Sequence, residues 1–406
     1  MLKLNKTVVN YNVNVSVEAN PVIEGFYADP EILYSEKTQK FYIYPTTDGI
    51  SGWGGYTFNV FSSSDLIHWV NEGTILDLST DQVSWATGNA WAPAIAEVKE
   101  NDGTYRYFFY FSGNAGNMKK IGVAVASDPK GPFIDIGKPM ISDLPKGASG
   151  QLIDGDVFID PVSKKGYFYF GNGFMAVAEL NADMISINES TLKIITPAGG
   201  TLNDFAYREA PYVFYRNGIY YFIWSVDDTG SDNYHIAYGT SSYPTGPITI
   251  AANPVILIKN TDKKIYGTGH ASVLQIQGKD EWYIVYHRIN SKYLKNGPGY
   301  HREICIDKLE FNEDGTIKKT IPTRKGIDVV SVNSTDTLTN KIYIHSNNNV
   351  SDENLIIRNI YDLSGKLINN KLEDLAFGIY IVKEVYLDGT CKTYKYISKT
   401  KYLRII

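Results

Sequence analysis

Ala28-Asp29-Pro30-Glu31-Ile32-Leu33-Tyr34, the turn Glu36-Lys37-Thr38, and then Phe41-Tyr42-Ile43-Tyr44 form a unit that decides the fold, because it returns four more times. The later openings are Ala92-Pro93-Ala94-Ile95-Ala96, Ile153-Asp154-Gly155-Asp156-Val157-Phe158, Glu209-Ala210-Pro211-Tyr212-Val213-Phe214 and Gly269-His270-Ala271-Ser272-Val273-Leu274. Each leads through a polar turn into a ring-rich strand such as Tyr107-Phe108-Phe109-Tyr110-Phe111 or Tyr220-Tyr221-Phe222-Ile223-Trp224. Apolar runs separated by a short Gly, Asn or Asp turn read as hairpins. A third strand follows in most units, as in Ile121-Gly122-Val123-Ala124-Val125-Ala126. A period of roughly 60 residues built from antiparallel hairpins points to a β-propeller, since a stacked solenoid has shorter repeats and lacks this hairpin order. The expected fold is therefore all-β, a five-bladed β-propeller.

Composition agrees. The 406 residues include 31 Tyr and 35 Gly, which favour pleated strands and tight turns. A formal net charge of −5 gives no electrostatic reason to bind nucleic acid, and no run of about 18 apolar residues offers a membrane span. Cys305 and Cys391 fall in different expected domains, which argues against a disulfide.

In a propeller the innermost strand of each blade lines the central channel, so the blade-opening residues converge at one end of the axis. Placing Asp29, Pro93, Asp154, Glu209 and His270 in one phase of the repeat brings three carboxylates and an imidazole together. Carboxylates so gathered raise at least one another's pKa, leaving one acid protonated while its neighbour stays ionised. That division of labour is glycosidase chemistry, in which one carboxyl serves as general acid and another as general base. Asp154 and Asp156, either side of Gly155, both qualify as the third carboxylate, and register favours Asp154. Trp53, Trp85 and Trp91 offer aromatic faces for stacking on sugars. Phe26 and the glycine-rich residues 50–55 suggest a closed pocket for one terminal sugar.

Over residues 20–323 the chain resembles glycoside hydrolase family 43, through Ala28-Asp29-Pro30, Trp91-Ala92-Pro93, Ile153-Asp154-Gly155-Asp156-Val157-Phe158, Glu209-Ala210-Pro211, Gly267-Thr268-Gly269-His270 and Tyr286-His287-Arg288. Gly155 and Ala210 depart from the family's usual proline and glycine. The resemblance implies Asp29 as the base that activates water, Glu209 as proton donor, and Asp154 as the residue that tunes and orients the donor. It also implies that Arg302 binds a sugar hydroxyl beside the base. A family trait that comes with it is an ion or water cluster, often calcium, near His270; one imidazole among waters makes a weak, structural calcium site. No cofactor is required. Family substrates divide among α-L-arabinofuranosides, β-D-xylosides, arabinans and galactans. An exo-acting α-L-arabinofuranosidase is expected, with β-xylosidase, β-galactofuranosidase and galactanase as alternatives. The rivals of other classes are a carbohydrate-binding propeller without turnover and a phosphorylase or transferase on a similar scaffold.

The expected organisation is an N-terminal arm over 1–20, the propeller over 21–325, a linker over 326–340, and a small β-sandwich module over 341–406. Strands Lys341-Ile342-Tyr343-Ile344, residues 355–361 and residues 378–382 carry that module, with Asp362-Leu363-Ser364-Gly365-Lys366 as a turn. Through Tyr361-Asp362-Leu363-Ser364-Gly365, Gly378-Ile379-Tyr380 and Lys395-Tyr396-Ile397 the module resembles the C-terminal sorting domains of the type IX secretion pathway. The resemblance implies export to the periplasm, cell surface or medium, with the secretion machinery as partner. Residues 1–20 lack the apolar core of a signal peptide, which that expectation takes as a leader already removed.

Overall fold

The computed structural model describes residues 19–197, 206–294 and 299–330 and, beyond them, four strands at 355–361, 367–368, 378–386 and 391–398. The chain divides into two compact units, Met1–Val332 and Asn333–Ile406.

The first unit is built of five antiparallel sheets in chain order. Blade 1 holds β1 (Tyr27–Ser35), β2 (Lys40–Thr47), β3 (Thr57–Ser63) and β4 (Val70–Asp77). Blade 2 holds β5 (Trp91–Lys99), β6 (Tyr105–Ala115), β7 (Met118–Ala126) and β8 (Ile134–Asp135). Blade 3 holds β9 (Asp156–Ile159), β10 (Gly166–Phe170), β11 (Ala176–Glu179) and β12 (Lys193–Ile194). Blade 4 holds β13 (Glu209–Arg216), β14 (Ile219–Val226), β15 (His235–Ser241) and β16 (Thr249–Leu257). Blade 5 has β17 (Tyr266–Gln275), β18 (Trp282–Ile289) and β19 (Arg302–Leu309). The five expected blades are present, and four of them carry an outer strand that the hairpin reading did not foresee. Those outer strands include two-residue β8 and β12, too short to leave a pattern in the sequence.

The ring-rich second strands are explained by burial on both faces. Successive side chains of a strand point to opposite faces. In β6, Tyr107, Phe109 and Phe111 pack with blade 1, whereas Phe108 and Tyr110 pack with blade 3. In β14, Tyr221 and Ile223 face blade 5, whereas Tyr220, Phe222 and Trp224 face blade 3. Another apolar layer joins blade 5 back to blade 1 through Ile43, Phe41, Val285 and Ile304. Each blade is thus glued to two neighbours and the ring closes. Phe109, fully buried against Tyr44, Phe58 and Phe133, belongs to this glue. Phe109→Ala is expected to lower stability by about 3–5 kcal/mol in urea unfolding, against less than about 0.5 kcal/mol for Ile134→Ala on the solvent side. Equal losses would mean that the interblade layers do not carry the fold.

The free edge of β19 is covered by the segment preceding β1. The Val22 amide donates to Ile304 O at 2.9 Å, and the Asn20 side chain exchanges hydrogen bonds with Ile306 at 2.8 and 3.1 Å. Asn20 is itself buried, so the propeller takes in a residue assigned to the arm. Pairing first and last segments removes an edge that would otherwise recruit another chain.

In the second unit the described strands β20 (Leu355–Tyr361), β21 (Leu367–Ile368), β22 (Gly378–Tyr386) and β23 (Cys391–Ser398) form one antiparallel sheet in the order β21-β20-β22-β23. The expected strand at 341–344 and the turn at 362–366 lie outside the described residues.

Candidate active site

The blade openings share a backbone device. Asp29, Ala92, Asp154, Ala210 and His270 all have positive φ, between 41° and 58°. In β1, β5, β13 and β17 the pairing register slips at this point, as a bulge does. The phase assigned from the sequence needs correcting: Pro93 lies one residue after the shared position, and Glu209 one residue before it. The left-handed residue breaks strict alternation, so two consecutive side chains reach the axis. Glu209, Trp91 and Ile153 come from one ring of positions, and Asp29, Asp154 and His270 from the next.

A chain of hydrogen bonds between blades holds the left-handed residues. The Ala92 amide donates to Thr46 Oγ1 at 2.8 Å, Asp154 to Ser112 Oγ at 3.2 Å, His270 to Ser225 Oγ at 2.9 Å, and Asp29 to His287 Nδ1 at 3.2 Å. At the remaining junction the Ala210 amide is met by the Asp154 carboxylate. Asp154 therefore sits between blade 2 and the residue that follows Glu209.

Asp29, Trp91, Ile153, Asp154, Glu209 and His270 line a cavity of about 200 Å³ with Trp53, Gln151, Asn172, Arg208, Asp228, Thr229 and Arg302. That is below the roughly 300–1,000 Å³ typical of drug-sized ligands, and fits one sugar unit. A larger groove of about 590 Å³, lined by Lys308, Lys318, Lys319 and Glu281 among others, contains none of the blade-opening acids.

The carboxylates are held in different states. Burial alone would push Asp29 up, but Arg302, His270 and His287 outweigh it and hold its carboxyl far below the usual range. Arg302 Nη1 donates to Asp29 Oδ1 at 2.9 Å, and His270 Nδ1 is 3.2 Å from the same oxygen. Arg302 is aimed by Asp48, which takes its Nε at 2.9 Å and its Nη2 at 3.3 Å. Asp29 Oδ2 is left without a protein donor among the described residues. Glu209 goes the other way: burial raises it and the nearby Asp29 charge adds to that, only partly offset by Tyr234, Arg208 and Asn172. Tyr234 Oη donates to Glu209 Oε1 at 2.8 Å, and Asn172 Nδ2 donates to Oε2. Asp154 is raised by burial and by the charges of Glu209 and Asp29.

Of the other residues singled out in the sequence, Trp53 and Trp91 line the cavity and are tied together, Trp91 Nε1 donating to Trp53 O at 2.7 Å. Lys119 Nζ lies 4.1 Å from the centroid of the Trp91 ring, and the Arg302 guanidinium 4.8 Å from that of Trp53. Phe26 is not in the cavity: it packs edge-on against Tyr293 and His301 and supports the rim from behind. Trp85 stacks on Phe111 inside blade 2. Asp156 also lies off the cavity, accepting from Val213 N at 3.1 Å, with burial raising its pKa to about 8. His270 meets Asp29, and among the described residues no group of three or more His, Cys, Asp or Glu is placed to hold a metal. An ion near His270 would have to take most of its six to eight oxygen ligands from water rather than from these side chains.

Asp48, Asn172, Arg208, Tyr234 and His287 escaped the sequence reading as site residues. Asn172 had a signal, standing between Gly171 and Gly173, both at positive φ. The others sit in ordinary strand or loop contexts.

Residues 18–317 match the model of glycosyl hydrolases family 43. The chain is similar to Beta-D-galactofuranosidase xynD of Aspergillus niger, 35% identical over 317 residues that cover 76% of this chain and 86% of the relative. It is also similar to the Arabinoxylan arabinofuranohydrolase of Bacillus subtilis, 31% identical over 301 residues; these cover 67% of this chain and only 56% of that relative's length. Among solved structures, a thermostable family-43 glycoside hydrolase superposes with a TM-score of 0.63 at 26% identity, covering 76% of this chain and 98% of that one. With a family match over most of the chain, on a five-bladed ring whose axis gathers three acids with pKa values pushed in opposite directions, this chain belongs to glycosyl hydrolases family 43 and hydrolyses O-glycosyl bonds with inversion.

Proposed function

We propose that the enzyme is exo-acting and releases a terminal furanose from neutral polysaccharide side chains. The observation that carries this reading is the pairing, in one cavity of about 200 Å³, of an ionised Asp29 with a Glu209 biased toward its protonated form. Asp29, anchored through Oδ1, presents Oδ2 to a water and takes its proton as the water attacks the anomeric carbon. Glu209 gives its proton to the glycosidic oxygen as that bond breaks, and the two acids exchange protons with solvent before the next cycle. Asp154 keeps the acid oriented through the Ala210 amide and adds a second carboxyl that opposes ionisation of Glu209. Trp53 and Trp91 offer ring faces to the sugar.

An α-L-arabinofuranoside agrees with the small cavity and with the arabinofuranohydrolase relative. A β-D-galactofuranoside is the second reading, favoured by the Aspergillus niger relative, of which this chain covers 86%. The two sugars share ring stereochemistry and differ in the exocyclic chain at C4. Nitrophenyl α-L-arabinofuranoside, β-D-galactofuranoside and β-D-xylopyranoside, assayed side by side with wild type and Glu209→Gln, decide between them. Turnover of the xyloside alone would overturn the furanose reading.

Activity requires Asp29 ionised and Glu209 protonated, so the alkaline limb of the pH profile is Glu209 losing its proton. Tyr234 donates to the carboxylate and favours the charged form; removing that donor raises the pKa further. Tyr234→Phe, which keeps the ring stacked on His287, is expected to shift the alkaline limb of kcat/KM to higher pH. A shift to lower pH would contradict the assignment of the acid.

The type IX-like C-terminal sheet supports export, with residues 341–406 as the address. Deleting them in a host with that pathway is expected to leave aryl glycoside hydrolysis intact and to retain the enzyme inside the cell.

A further inference from the structure

Arg302 and Arg208 are the two arginines lining the cavity, and they differ in how their donors are used. Arg302 uses Nε, Nη1 and Nη2 on Asp48, Asp29 and Thr229. Arg208 is anchored by its backbone, its amide donating to Ser225 O at 2.9 Å and its carbonyl accepting from Gly173 N at 2.8 Å. Among the described residues its Nε is buried without a hydrogen-bond partner, and its Nη2 makes only a long 3.4 Å contact with Asp228 Oδ2. A buried donor left unmade is costly, so a group aimed there gains strongly. The Arg208 charge acts on Glu209, which puts it beside the acid, on the side of the cavity where the leaving group departs.

The chemistry of the pair selects the partner. A lone guanidinium would draw a carboxylate or phosphate, but Asp228, exposed beside it, and the acids behind it oppose an anion. Two neighbouring hydroxyls suit it better: they accept from Nε and Nη2 while one of them donates to Asp228. We infer that Arg208 and Asp228 form a leaving-group subsite that reads a vicinal diol on a neutral acceptor sugar, and so set which glycan is trimmed. The inference rests on Glu209 being the acid of a furanosidase.

The test compares kcat/KM of wild type, Arg208→Gln and Asp228→Asn on three substrates: the nitrophenyl furanoside that wild type cleaves, a disaccharide of the same furanose on a neutral hexose with free vicinal hydroxyls, and that disaccharide with one of those hydroxyls removed. For Arg208→Gln the ratio of disaccharide to nitrophenyl rates is expected to fall by about tenfold to a hundredfold, as loss of charge-assisted hydrogen bonds implies. Asp228→Asn, at an exposed position, is expected to lower the same ratio less. Wild type is expected to prefer the full disaccharide to its deoxy analogue, and Arg208→Gln to lose that preference. Equal losses on the disaccharide and its deoxy analogue would overturn the inference whatever the nitrophenyl ratio does, because Arg208 would then act only through Glu209, whose loss also depends on the leaving group, or through the fold. If wild type cleaves no furanoside, the underlying reading fails and this one with it; if it cleaves them and the ratio holds, only this one fails.

Discussion

Asp29→Asn is expected to lower kcat by about 10⁴-fold while binding of a furanoside product changes little, the upper end of what a general base contributes. Asparagine is the informative replacement because Asp29 has φ of 49°, a conformation that Asn tolerates and most residues do not. The side chain can still accept from Arg302 through its carbonyl, so geometry is retained and only the proton acceptor is lost. The measurement is steady-state turnover of the nitrophenyl furanoside beside calorimetric titration of the free sugar. A variant that keeps more than about a tenth of wild-type turnover would remove Asp29 from the base role, since proton transfer to a positioned base is worth at least about a hundredfold. The same pair of readings separates an enzyme from a sugar-binding propeller, in which the substitution would have no turnover to remove.

Glu209→Gln should produce a loss that depends on the leaving group. A poor leaving group needs its oxygen protonated as the bond breaks, and a disaccharide is therefore expected to lose about 10³–10⁴-fold in kcat/KM. A dinitrophenyl furanoside leaves as a stable anion without help, and its loss is expected to stay within about tenfold, the share attributable to positioning rather than proton transfer. Glutamine keeps an acceptor for Tyr234, while its amide group can be placed against Asn172 in only one orientation, which accounts for that residual cost. The alkaline limb of the pH profile should also vanish for the dinitrophenyl substrate, because it reports the proton on Glu209. An identical loss for both leaving groups would mean that Glu209 binds or orients and is not the acid.

Much of this site was legible because a propeller writes its geometry as a repeat. Asp29, Asp154 and His270 share a phase, and the fold carries that phase to the axis without any other information. Glu209 was found for a partly mistaken reason: it stands one residue ahead of the common position, at the place Trp91 holds in blade 2, and reaches the cavity because the left-handed Ala210 breaks the alternation. Phe26, read with residues 50–55 as closing a pocket, packs against Tyr293 and His301. Nearness along a strand says little about which side of a bulge a ring emerges.

The periodic hairpins by themselves determined five blades, the ring-rich second strands buried between neighbours, and the presence of several acids around one axis, since these follow from local pattern and repeat length. Only the tertiary structure decided which carboxyl is pushed down in pKa and which is pushed up. That depends on Arg302, 273 positions from Asp29, being aimed by Asp48, and on Tyr234, just before β15, and Asn172, just after β10, gripping Glu209. A pKa is set by burial and by charges and donors within a few ångströms, and closing the ring brings those groups together from blades far apart in the chain.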